Sequence, residues 1–163
     1  MLVALQVIAV LLGAMALALA HALELPGKRR LAREQYLAVQ TIYYPGFTFG
    51  GFAEPLGLLC LLVVLVLTPA GGKAFWLTAG AFAALAGMHA AYWLLTHPVN
   101  NFWLKDYELK GMGARFFLFD PLKRTTSPKP DWSMLRDRWE FSHVVRAGFG
   151  AVSLALLVTA VAL

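Results

Sequence analysis

Apolar residues in this chain come in long blocks separated by short polar stretches. A helix rising about 1.5 Å per residue needs roughly 20 predominantly apolar residues to cross a bilayer. Four blocks approach or exceed that length: Met1 to Ala22, Phe47 to Leu67, Ala74 to Thr96 and Val144 to Leu163. Turn chemistry edges them at Leu25-Pro26-Gly27, Tyr44-Pro45-Gly46, Thr68-Pro69 with Gly71-Gly72, and His97-Pro98. The pattern predicts an all-α chain, a single integral membrane four-helix bundle over residues 1–163. The spans are expected at about 1–23, 47–68, 74–96 and 134–163, with a long connection at 97–133. The first block carries no Lys or Arg ahead of its apolar run, so an uncleaved helix is expected in place of a signal peptide.

Composition agrees with a membrane solvent. Hydrophobic residues make up 60% of the 163 and charged residues 14%, which excludes a disordered chain and an ordinary soluble domain. One cysteine, Cys60, excludes a disulfide framework and a Cys-based zinc site. The net charge of +5 would suggest nucleic acid in a soluble protein, but its distribution gives another reading. Lys28, Arg29, Arg30 and Arg33 follow the first block; Lys105, Lys110, Arg115, Lys123, Arg124, Lys129, Arg136 and Arg138 follow the third; only Lys73 lies between the second and third. The positive-inside rule puts both basic connections in the cytoplasm and both termini outside, as in a bacterial inner membrane protein. Topology and anionic headgroups then account for the charge, and no nucleic-acid partner is expected.

Two connections carry more than linkers do. Leu31 to Tyr43 mixes charged, amide and apolar residues as an interfacial helix does. Asn100 to Trp132 is aromatic-rich and broken by Gly111, Gly113, Pro121, Pro128 and Pro130. Two readings stay open for it, an aromatic belt at the headgroups and a lid over a cavity. Gly111-Met112-Gly113 lacks the strand–turn–helix context of a phosphate loop.

Ionisable groups in spans are functional-site hypotheses by default. His21, Glu24, Glu54, His97, Glu140, His143 and Arg146 all fall toward the same face. His89 is eight residues before His97, about 12 Å deeper. His21 and Glu24, and likewise Glu140 and His143, are three apart and share a helix face. Glu-x-x-His pairs hold metal in di-iron bundles, but only Glu54 is at hand as an extra carboxylate. A single transition metal such as iron or copper, held by His97, His143, Glu54 and Glu140, suits this inventory better. The structural alternatives are equally concrete. Glu54 pairs with Arg146 or a histidine, His89 is a buried histidine with a partner, and Glu24 faces water near Lys28.

Thr96-His97-Pro98-Val99-Asn100-Asn101-Phe102-Trp103 and Arg136-Asp137-Arg138-Trp139-Glu140-Phe141-Ser142-His143-Val144-Val145-Arg146 resemble the Pro-x-Asn and Arg-Trp-Glu…His…Arg signatures of the anthrone oxygenase-like family, four-helix membrane proteins. Many members place the histidine two residues before the arginine; here His143 is three before Arg146. The resemblance implies a membrane oxidoreductase or oxygenase acting on a lipophilic aromatic or quinone-like small molecule. Glu140 and His143 would be the catalytic base candidates, and Arg146 and Asn100 would stabilise a developing oxyanion. His21, Glu24, His89 and Trp139 would support them. One alternative is a non-enzymatic assembly, transport or proton-relay protein. Another is a b-haem electron carrier with His89 and His143, or His21 and His97, as axial ligands.

Overall fold

The computed structural model of the chain describes residues 2–13, 15–43, 46–103 and 131–163, and every regular element among them is helical. In order these are α1 (Leu2–Gly13), α2 (Ala16–Lys28), α3 (Arg33–Gln40), a 3-10 turn (Thr41–Tyr43), α4 (Gly46–Gly50), α5 (Ala53–Leu67), α6 (Lys73–Ala91), a π-helical turn (Tyr92–Thr96), α7 (His97–Trp103) and α8 (Trp132–Val161). Two helical stretches, Lys73–Asn100 and Trp132–Val161, are long and apolar enough to cross a membrane. The expected aromatic belt or lid falls largely on residues 104–130, which lie outside the described residues, as does Gly111-Met112-Gly113.

The first two expected spans are corrected. The first is broken at Met15, whose φ of 95° is left-handed, a conformation non-glycine residues rarely adopt. A Cβ on Gly150 would stand 2.7 Å from Met15 Cγ, so the missing side chain on α8 makes room for the bend. Downstream, α2 runs through Pro26 and Gly27 to Lys28, two residues past the expected stop. The second span is shortened to the 15 residues of α5. Gly50 and Gly51 release the chain from α4, and Pro55 sits in the first turn of α5, where its missing N–H costs nothing. Glu54 is therefore at the head of α5, where two turns of preceding helix were expected.

The third helix outlasts its expected end at His97-Pro98. Proline leaves the carbonyl four residues earlier unbonded. Here that is Leu94 O, which accepts a hydrogen bond from Arg138 Nη2 of α8 at 2.9 Å, and the π turn at Tyr92–Thr96 absorbs the extra backbone. α8 starts where Asp131 Oδ1 accepts from the Ser133 amide at 3.1 Å, an N-cap. Ser133 Oγ also donates to Asp131 Oδ2 at 2.7 Å, and this bond with the amide bond holds the exposed Asp131 carboxyl below its ordinary pKa.

α1 packs on α5, α5 on α6, α6 on α8, and α1 and α2 on α8. The deep core is made of small and aliphatic groups, among them Ala9, Ala18, Leu61, Ala81, Leu85, Met88 and Leu157. Gly87 lets Phe149 approach, and Gly80 lets Leu156 do so, which brings α6 and α8 close. A second core of Tyr36, Tyr43, Val99, Leu135 and Trp139 gathers α3, α7 and the start of α8 at the other end. Polarity is inverted relative to a soluble domain. Lys28, Glu54, Glu140, Arg146, His21, His97 and His143 are buried, while Leu59, Leu62, Val66, Trp76, Phe141, Val152 and Val158 are exposed.

Candidate functional site

Two buried carboxylates on different helices organise the polar interior. Glu54, at the start of α5, gives Oε1 to the Arg146 guanidinium of α8 and Oε2 to His89 Nδ1 of α6 at 3.4 Å. His89 Nε2 accepts from Trp93 Nε1 at 3.1 Å, so the imidazole proton is on Nδ1, facing Glu54. Arg146 also lies over the Tyr92 ring, 5.2 Å from its centroid. Its Nε has no hydrogen-bond partner among the described residues.

Glu140 is different. It sits on α8, 1% exposed, and Oε1 accepts from Tyr36 Oη of α3 at 2.8 Å. Oε2 has no partner. Lys28 Nζ, at the end of α2, stands 3.8 Å from Oε1. That ammonium is 4% exposed, an uncommon place for a lysine. Its surroundings supply the compensation a buried cation needs. Glu24 Oε2 is at 2.7 Å, His21 Nδ1 accepts from it at 3.2 Å, and the rings of Tyr43 and Trp139 lie at 4.7 and 4.8 Å. Glu24 also accepts from Tyr43 Oη at 2.6 Å. Burial and the Glu140 carboxylate push the Tyr36 phenol far above its ordinary pKa, and burial and the Glu24 hydrogen bond do the same at Tyr43. Both phenols therefore remain donors.

Aromatic packing closes the space between these groups. His21 meets Tyr43, Phe47, Trp139 and His143 at centroid distances of 4.5, 4.8, 4.7 and 4.3 Å. His143 Nδ1 donates to Trp139 O at 2.8 Å, which leaves the Nε2 lone pair available. Ser142 Oγ donates to the same carbonyl at 2.6 Å and accepts from Thr96 Oγ1 at 2.8 Å. Trp139 Nε1 donates to Asn100 Oδ1 at 2.9 Å, so the Asn100 carbamoyl nitrogen is turned away from the indole.

The fold thus splits the residues singled out in the sequence. Glu140, His143, Asn100, Trp139, His21 and Glu24 come together; Glu54, His89 and Arg146 form a second group. His97 packs on Tyr92 and Trp93, at 5.8 and 4.8 Å between centroids. The expected metal set of His97, His143, Glu54 and Glu140 is not brought together as a group of ligands. Among the described residues, no three His, Cys, Asp or Glu side chains are arranged to hold a metal ion. Glu54 is turned to Arg146 and His89, Glu140 to Tyr36, and His143 to Trp139. The expected haem pairs do not fit either. Both nitrogens of His89 are engaged, and aromatic rings crowd His21. Lys28, Tyr36 and Tyr43 were missed. Two signals were available, the Glu24–Lys28 spacing of four and the Tyr36–Tyr43 spacing of seven.

Protein-family models, curated proteins and solved structures yield no match to the chain.

Proposed function

We propose that this is an integral membrane oxidoreductase of the anthrone oxygenase-like kind. It would oxidise a lipophilic aromatic or quinone-like molecule that enters from the bilayer, with the basic connections and the Glu140 layer toward the cytoplasm. The apolar exterior, the polar interior and two helices of membrane-spanning length support the location. One observation carries the chemistry: buried Glu140 has no hydrogen bond at Oε2 among the described residues, while Tyr36 holds the other oxygen and Lys28 stands 3.8 Å from it. A buried carboxylate with one oxygen held and the other carrying no hydrogen bond among the described residues suits a general base.

Glu140 Oε2 takes a proton from an activated methylene of the substrate, and the electron pair moves onto the conjugated carbonyl oxygen. Hydrogen-bond donors must meet that developing oxyanion. Arg146 Nε, buried and without a hydrogen-bond partner, is one candidate, and the Asn100 carbamoyl group is the other. Dioxygen then accepts the carbanion's electrons and forms the new C–O bond. Overall the methylene carbon loses two hydrogens and gains one oxygen atom, and the second oxygen leaves as water. His143, with its Nε2 lone pair available, is placed beside Glu140 on α8 to assist a second proton transfer.

Protein in lipid nanodiscs is expected to consume dioxygen and form quinone from a hydroxyanthrone. Glu140→Gln should lower turnover by about 100-fold or more, the contribution of a positioned base. Failure of the wild-type protein to turn over any such substrate, or full turnover by Glu140→Gln, would overturn the proposal.

A further inference from the structure

A base buried inside a membrane protein must pass its captured proton to water before it can act again. We infer that Lys28 and Glu24 form that exit, a proton relay from Glu140 to the aqueous face at the end of α2. The inference rests on the general-base reading of Glu140, and its test needs no turnover.

The geometry is a short line of exchangeable groups with a burial gradient. Glu140 is enclosed; Lys28 is buried between two aromatic rings; the Glu24 side chain is 42% exposed. Lys28 Nζ has three protons and faces three acceptors: Glu24 Oε2 at 2.7 Å, His21 Nδ1 at 3.2 Å and Glu140 Oε1 at 3.8 Å. The last gap is about 1 Å too long for a hydrogen bond, a distance a flexible four-carbon stem can close. The other ionisable groups facing Glu140 are the phenol of Tyr36 on α3 and, on its own helix, Arg136. Arg136 carries no lone pair, so it takes no proton from Glu140.

The transfer balances. Lys28 gives one ammonium proton to the Glu24 carboxylate, and the freed amine lone pair takes the proton from the Glu140 carboxyl. Lys28 ends as it began, Glu140 is a carboxylate again, and Glu24 releases its proton to water. Charge supports the same route. Lys28 is one cation between two carboxylates, and it sits closer to the exposed one than to the buried one. The line is therefore poised to hold one proton, which moves along it. Tyr43 Oη, donating to Glu24 at 2.6 Å, fixes the outer carboxylate against the ammonium.

The test is stopped-flow infrared spectroscopy on the full chain in nanodiscs after a pH jump. The Glu140 band is identified by its loss in Glu140→Gln. In Glu24→Gln the protonation and deprotonation of Glu140 should slow by about 100-fold, the lower end of what a positioned proton-transfer group contributes. Imidazole, which can reach the exposed position, should restore the rate. Lys28→Met should slow it as well. Unchanged Glu140 kinetics in Glu24→Gln would overturn the relay. Slowing that imidazole does not relieve would also overturn it, because a packing defect is not repaired by a soluble base. If wild-type protein shows the relay kinetics but no dioxygen uptake, the oxidation reading alone fails.

Discussion

Glu54 and Glu140 are both buried carboxylates, and both meet a cation from another helix, yet they are finished differently. Glu54 has an oxygen on Arg146 and an oxygen on His89, and His89 is locked by Trp93. Glu140 has one oxygen on Tyr36, with Lys28 near it, and among the described residues the other has no hydrogen bond. A buried charge with all its lone pairs satisfied is structure; removing its partner strands the opposite charge. A buried carboxylate left half satisfied costs free energy that a fully paired one does not. The Glu54–Arg146 pair ties α5 to α8, and the half-satisfied Glu140 in the α2–α3–α8 cluster is the group on which the proposed proton transfer rests.

The largest test of this contrast is on stability. Glu54→Ala leaves the Arg146 guanidinium buried with its ion-pair partner gone and should cost about 3–5 kcal/mol. Glu140→Gln keeps an acceptor for Tyr36 and should cost less than that. Thermal unfolding in detergent with both variants side by side checks the order, and equal losses would erase the distinction. Tyr36→Phe comes next. It removes a hydrogen bond to a charged acceptor, worth about 1.5–3 kcal/mol, and frees Glu140 Oε1 from the donor that fixes it. It should therefore lower turnover together with stability, whereas Glu54→Gln should lower stability first.

The smallest effect is a pH response at the start of α8. Asp131 is held below its ordinary pKa by Ser133, so its cap is complete above the unfolded-state value and is lost as pH falls through the lowered one. Faster amide exchange at Ser133 in that acid window is the readout. Trp132 packs 6.3 Å from the Tyr36 ring, so fraying there should reach the Glu140 cluster and leave the Glu54 cluster alone.

Much of the helical layout was legible because it is local. Apolar runs and Thr68-Pro69 with Gly71-Gly72 act on neighbouring residues. Gly71 adopts a φ of 87°, which suits glycine. The failures were tertiary overrides. Pro98 did not stop α7, because Arg138, 44 residues away in sequence, satisfies the freed Leu94 carbonyl. Met15 bends a run that reads as one helix, because Gly150 leaves it space. Lys28 reads as a surface cation of a basic connection and is instead the buried centre of a cluster, since its partners come from α8 as well as from its own helix.

The amino-acid sequence by itself determined the helical class, the apolar exterior and the stock of ionisable groups, because these depend on composition and on residues a few positions apart. It could offer Arg146 or a histidine as partners for Glu54, and both are used. Only the tertiary structure decided that Glu140 belongs to Tyr36 and Lys28 while Glu54 belongs to Arg146. Those contacts join positions 104 and 92 residues apart, for the Tyr36 and Arg146 bonds respectively. They depend on the rotation and depth of each helix against its neighbours, which no local spacing encodes.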